Sequence, residues 1–392
     1  GGVCRPPSAI AAMSDSRDWF SDLFGFPEVD YAETKRLLSV VRSGASEDLF
    51  LESKANQARY CVGSFGTPSL GELREDVLGR ERMDVEDHAG EARGRIRVSN
   101  EIGDVAAKHA LPENLHATFQ VASQFNCLEF VGPSVTPEDG ITGYVRDRTQ
   151  GPACSIACGP ATAYRNFFAP VGGEEEGQTA RRQINNLADV CERLDAMFAK
   201  RLKLDTGSYG LAGSRFVDVR GGYTLASHRQ LAQLNGILAS LEEHEIDQLR
   251  CALRIGVHAD VQVTSHAWGA RRVAGSPLVT QIFGSACSVA YNRDSSREDW
   301  EPLARLVLEA SYEATLLAAL RQARKHGGLH GSRRVFLTCL GGGVFGNSMT
   351  WIADAMRRAL LLLRDEDLDV RIITYAGSPP PEMLRLEEHF RG

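Results

Sequence analysis

No stretch of this 392-residue chain is apolar over the roughly 20 residues that a membrane-crossing helix needs, so no helical span is expected. Its nine cysteines contain no C-x-x-C pair, the nearest two being Cys154 and Cys158. An odd, scattered set argues against a disulfide framework and gives a zinc site little support. Cys127 and Cys339 sit in apolar runs and read as small core residues. The ten histidines show no H-E-x-x-H or similar ligand spacing; His326 and His330 are four apart, but in a glycine-rich loop. No metal and no cofactor is therefore expected. Excess positive charge is also missing: the formal net charge is −7, which argues against nonspecific binding to nucleic acid or anionic membranes. Neither a P-loop signature nor a Gly-x-Ser-x-Gly elbow occurs, which sets aside NTPase and serine-hydrolase readings. The first ten residues lack a basic region followed by an apolar one, so with the unpaired cysteines a reducing, cytoplasmic setting is expected.

What the chain does have is a strand, a glycine loop and a helix in succession near its C-terminal end. Val335-Phe-Leu-Thr-Cys-Leu340 is apolar or β-prone. Four glycines follow within six positions (Gly341, Gly342, Gly343, Gly346), and then Trp351, Ile352, Ala355, Met356, Ala359, Leu360 and Leu363 recur at helical spacing. Glycines let backbone N–H groups approach a phosphate where a Cβ would stand in the way. The N-terminus of the next helix adds partial positive charge at the same place. The residues also match G-x-G-x-x-G, but one strand only, Val370–Tyr375, remains after them, and its acids precede it instead of ending it. A dinucleotide-binding half cannot be built from that remainder, so a diphosphate loop in another α/β fold is the better reading.

Elsewhere strands and helices alternate. Residues 1–58 read as a partly helical extension, with helices around Trp19–Phe24 and Ala32–Val41. Residues 59–392 read as one α/β domain with insertions, its mixed sheet covered by helices on both faces. Strand signals fall at Tyr60–Phe65, Ile96–Asp104, Ala117–Asn126, Arg215–Val219, Leu253–Thr264, Leu278–Gly284 and Ser288–Tyr291. The clearest helix runs from Trp300 to about Ala323, and the charge-dense residues 79–95 read as a solvated excursion.

In this order the chain resembles the macrodomain superfamily. The matching features are Ile102-Gly-Asp-Val105, the strand running to Asn126, the Leu/Ala/Tyr-rich helix Leu303–Leu316, and Gly341-Gly-Gly-Val-Phe-Gly346. Between them, Thr136-Pro-Glu-Asp-Gly-Ile-Thr-x-Tyr-x-x-Asp147-x-Thr-Gln-Gly-Pro152 resembles the larger macrodomains related to poly(ADP-ribose) glycohydrolase, in particular the arginine-directed MavL-type hydrolases. The resemblance implies a three-layer α/β/α fold and ADP-ribose as ligand. It implies an ADP-ribosylated protein as substrate, with ubiquitin one candidate by resemblance alone.

Residue by residue, it implies that Asp104 accepts from the adenine amino group and that Tyr375 packs on adenine or ribose. Gly341, Gly342, Gly343, Val344, Phe345, Gly346 and Asn347 would wrap the diphosphate, and Asn126 would touch the distal ribose. Thr149 and Gln150 would line the ribose pocket, and Asp139 and Asp147 would flank the anomeric carbon. Hydrolysis at that carbon passes through an oxocarbenium-like state that a carboxylate stabilises, or meets with an activated water. A second carboxylate can orient a guanidinium leaving group. The expected activity is metal-independent removal of mono-ADP-ribose, foremost from arginine. The alternatives are a non-catalytic ADP-ribose reader and, ranked lower because Gln-Glu-Glu is absent, poly(ADP-ribose) chain cleavage.

Overall fold

Short apolar runs whose alternate residues feed two separate cores need a sheet covered on both faces. The computed structural model, which describes residues 18–42, 48–84, 96–172, 176–201, 215–270 and 272–391, has that arrangement. Its strands are β1 Leu38–Arg42, β2 Leu49–Ser53, β3 Arg59–Gly66, β4 Arg97–Ile102, β5 Thr118–Ala122, β6 Asp218–Arg220, β7 Tyr223–Leu225, β8 Gly256–Gln262, β9 Leu278–Gly284, β10 Arg334–Leu337 and β11 Asp369–Thr374. Nine of them form one mixed sheet in the order β1-β2-β3-β8-β9-β5-β10-β11-β4, and β6 and β7 make a separate hairpin. The five from β9 to β4 are parallel; the four from β8 to β1 are antiparallel. The α/β class expected from the sequence, with a mixed central sheet between helical layers, is the observed one.

Alternation decides which face each residue supplies. Phe119, Val121, Phe283 and Phe336 join one core, beneath the helices Trp19–Phe24, Gln150–Ala157 and Gly159–Phe167. Ile282, Val335, Leu337, Val370 and Ile372 join the other, beneath the 29-residue helix Arg297–Lys325 and its neighbours. That helix starts at a capping box between Ser296 and Asp299 and is apolar on most of its circumference, because the sheet lies on one side and further helices on the other. Its acids Glu309 and Glu313 are taken up in ion pairs: Glu309 with Arg250 at 2.7 Å, and Glu313 with Arg74 and Arg358, each at 2.5 Å.

Three local expectations are corrected. The second N-terminal helix ends at Leu37 and the chain turns directly into β1, where Leu38 is buried against the sheet. Ser288–Tyr291 is not a strand but a 3₁₀ turn, Val289–Tyr291, because Ser288 spends its hydroxyl on the Thr224 carbonyl of β7. The helix Leu70–Asp84 enters the charge-dense stretch, whose remainder lies outside the described residues. Among the described residues no helix is long and apolar enough to cross a membrane.

Residues 18–53 do structural work on the rest of the chain. Trp19, Phe20 and Phe24 are buried, and Gly159 packs so closely on Trp19 that a Cβ there would come within 2.8 Å of the indole. Glu28 reaches the turn before Asp147, where its carboxylate accepts from Ile141 N at 2.9 Å and from Thr142 N and Oγ1 at 2.6 Å each.

Candidate active site at the C-terminal edge of the parallel strands

Parallel strands deliver their C-terminal ends to one edge, which is where open α/β sheets bind ligands. Here that edge presents, in sheet order, the loop after β5, the glycine loop after β10, Tyr375 after β11 and Gly103-Asp104 after β4. The last two are level with each other, since Thr374 pairs with Ile102 and Gly103 N donates to Thr374 O at 2.9 Å. Adjacent strands are about 4.8 Å apart, so the row from β5 to β4 covers roughly 14 Å. Ile102, Val344 and Tyr375 are exposed apolar side chains along it.

A cavity of about 220 Å³ opens between the first two members of the row. Its lining includes Asp147, Thr149, Gln150, Gly341, Gly343, Val344 and Phe345. The glycine loop divides its labour. The N–H groups of Gly342, Gly346 and Asn347 are consumed inside the loop, on Cys339 O, Gly343 O and Gly341 O. Those of Gly341, Gly343, Val344 and Phe345 meet no backbone acceptor among the described residues, and these four line the cavity. Gly341 and Gly346 adopt φ of +69° and +75°, and a Cβ on Gly341 would come within 2.6 Å of Ala286 Cβ. A Cβ on Gly343 would meet nothing within 4 Å. Asn347 is buried, and its Nδ2 donates to Cys287 O at 2.8 Å, fixing the loop from behind.

Of the other expected residues, Thr149 is the cap of the helix Gln150–Ala157, and its N–H donates to Asp147 Oδ1 at 3.1 Å. Gln150 lines the cavity, but its amide is spent on β5: Oε1 accepts from Ala122 N and Nε2 donates to Gln120 O, each at 2.8 Å. Asp139 does not join Asp147. It is exposed and caps the preceding turn, Oδ2 accepting from Thr136 N at 2.7 Å and Oγ1 at 3.0 Å. Asn126 is fully buried outside the cavity lining, accepting from Leu128 N at 3.0 Å and donating to Gln183 Oε1 at 2.9 Å. Asp104 caps the helix Val105–His109 through Ala106 N at 2.8 Å, and Tyr375 stands 71% exposed. Both are on the edge but outside the cavity lining.

Two features of the cavity are not among the sequence-derived candidates. Glu129, two residues beyond the turn that follows β5, lines the cavity while only 2% exposed. Its Oε1 has no hydrogen-bond partner among the described residues. Burial pushes its carboxyl well above the usual range; the nearby Arg165 guanidinium pulls the other way, and Asp147 reinforces the rise. Arg165 is itself wholly buried, held by Cys127 O at 3.1 Å, Thr162 Oγ1 at 2.9 Å and the face of Phe283 at 3.8 Å. The floor beside Glu129 requires glycine at 151, where a Cβ would lie 2.1 Å from Ala122 O and 2.2 Å from Glu129 Oε2.

The second feature is the pair Tyr223 and Tyr291, which build an aromatic wall with the expected Phe345, centroids 4.8–5.6 Å apart. Tyr223 Oη donates to Phe130 O at 2.5 Å. It reaches the cavity from the β6–β7 hairpin, whose Gly222 (φ +77°) would otherwise press a Cβ to 2.6 Å from Gln124 Cβ. Only the fold reveals these contacts: the sequence places Tyr223 nearly a hundred residues from Glu129.

No protein-family model matches the chain, and none of the curated proteins does. Among solved structures it is similar to the poly(ADP-ribose) glycohydrolase of Thermomonospora curvata, at 16% identity and a TM-score of 0.40, over 92% of this chain and 97% of that one. The same enzyme bound to the inhibitor ADP-HPD matches with a TM-score of 0.39. The poly(ADP-ribose) glycohydrolase of Deinococcus radiodurans in complex with ADP-ribose matches at 13% identity and a TM-score of 0.39, over 83% of this chain and 92% of that one.

Proposed function

We propose that the chain is a macrodomain-type ADP-ribosyl hydrolase, cleaving the N-glycosidic bond between ribose C1″ and a modified protein side chain, foremost arginine. The observation that carries this reading is one cavity bounded on one side by unpaired loop amides and on the other by two carboxyl groups in unlike environments. Free amides converging from a glycine loop suit a diphosphate. A cavity of about 220 Å³ is too small for a whole nucleotide diphosphate-ribose, so it would take the diphosphate and distal ribose. The adenosine would then run along the open edge toward Tyr375 and Asp104.

A buried carboxyl group whose proton affinity is raised, beside a more exposed carboxylate, suits an acid and a base. Glu129, kept protonated by burial, would donate to the departing side-chain nitrogen as the C1″–N bond breaks. Asp147, half-exposed, would stabilise the cationic C1″ and accept the proton of the water whose oxygen bonds to C1″. No metal is required for these steps. The test is Asp147→Ala against ADP-ribosylarginine peptide: hydrolysis should fall by at least about 100-fold while ADP-ribose still binds. Full turnover in that variant would discard the catalytic assignment. Retention of the modified peptide without turnover by the unaltered protein would make the chain a reader.

A further inference from the structure

At the opposite end of β5, three side chains from three separate elements converge. His116 precedes β5, Asp260 sits where the β8–β9 register shifts, and His326 caps the helix Arg297–Lys325. Their ligand atoms all lie within 4.8 Å of one another. Asp260 Oδ1 is 2.9 Å from His326 Nε2 and 3.4 Å from His116 Nδ1. Yet by donor–acceptor geometry none of these three buried atoms has a hydrogen-bond partner among the described residues. The separations are those of partners, but the hydrogen-bond geometry between them is not met.

The backbone is bent to achieve this. His116 and Asp260 both adopt left-handed φ, at 64° and 55°, as does the neighbouring His330 at 54°. Such a conformation costs a non-glycine residue on the order of 1 kcal/mol and persists where surrounding structure enforces it, often at ligand clamps. The other carboxylate oxygen is already committed: Lys325 Nζ donates to Asp260 Oδ2 at 2.6 Å, leaving Oδ1 as a single, oriented donor atom. The imidazole centroids are 3.9 Å apart with the rings 18° from parallel, so binding one ion would turn the rings from this stack until both in-plane lone pairs meet it.

From this convergence we infer that His116, Asp260 and His326 form a binding site for a divalent transition metal, zinc foremost, separate from the cavity at the other edge. Two imidazoles and one monodentate carboxylate are a three-ligand zinc set with one position left for water. Tetrahedral zinc bonds of 2.0–2.2 Å put ligand atoms roughly 3.3 Å apart, and the two carboxylate–imidazole separations, 2.9 and 3.4 Å, are already close to that. Because the ligands come from the lead into β5, the bulge of β8 and the end of the long helix, the ion would tie those elements together. Its role is structural, and it stands independently of how the cavity is read.

The test uses the full chain after chelator treatment. Zn²⁺ should bind by calorimetry with one equivalent lost in His116→Ala and in His326→Gln, and should raise the melting temperature of the unaltered protein but not of these variants. Co²⁺ in place of Zn²⁺ should give the visible absorption of a low-coordinate site in the unaltered protein alone, a readout that does not depend on any variant folding. Failure of the unaltered protein to take up either ion would overturn the inference. So would an uptake that both variants leave unchanged, which would assign the metal to other residues.

Discussion

Glu129→Gln keeps the size of a buried side chain and removes its proton, so it isolates what that proton does. Burial raises the Glu129 pKa above its ordinary 4.5, which means the folded chain retains a proton that the unfolded chain has released. Folding stability must then fall as pH rises from about 4.5 toward the raised value, by up to roughly 1.4 kcal/mol per pH unit. Glutamine has no such dependence. Whatever constant offset its amide introduces by changed hydrogen bonding, the difference in unfolding free energy, variant minus unaltered, should climb in the variant's favour across that window. Urea unfolding of both proteins at half-unit pH steps measures it. Two parallel curves would show that Glu129 titrates normally and would remove the physical basis for its role as an acid. In the same variant kcat on an ADP-ribosylarginine peptide should drop about 100- to 10,000-fold, the range for losing a general acid, with little change in ADP-ribose affinity.

Gly343→Glu places a carboxylate where the diphosphate is proposed to lie, with open space around the new Cβ, so the protein should fold normally and lose calorimetric binding of ADP-ribose. Unchanged binding would mean that the loop is scaffold. Glu28→Ala removes three hydrogen bonds from the turn ahead of Asp147 and should cost on the order of 100-fold in kcat through misplacement of that carboxylate, an effect absent if the turn holds itself. Arg74→Ala leaves Glu313, with its side chain 4% exposed, only Arg358 as partner; the urea midpoint should report about 3 kcal/mol of destabilisation, and a loss below about 1 kcal/mol would refute the pairing's importance.

Legibility in the sequence followed burial. Helices with one wet face, such as Ala188–Arg201 and His228–Leu238, declare themselves through 3.6-residue periodicity, and β9 and β11 through short apolar runs between turns. The helices Gln150–Ala157 and Gly159–Phe167 do not, because every one of their residues from Gly151 to Ala157 and from Gly159 to Phe167 is buried, and a helix without a wet face has no period to read. The glycine loop was legible as a loop, but not which of its amides are spent internally, since that depends on its turn geometry. Asp139 and Asp147 are both candidates in sequence, Asp139 with a turn signal beside it at Gly140; one closes a capping turn and the other lines the cavity. Glu129 and Tyr223 carry no local signature, and their part follows from the strand order that brings β5, the β6–β7 hairpin and the β10 loop to one edge.

The Glu28 contact gives the segment ahead of β1 a part in how this protein could be altered. The turn that carries Asp147 is anchored by a side chain more than a hundred positions earlier, under a helix whose indole also touches Thr142 O at 3.3 Å. The turn is therefore not a portable module: grafted elsewhere, it would arrive without its tether. A redesign of this side of the cavity has to treat Glu28 and Thr142 as one unit, changing them together or leaving both alone.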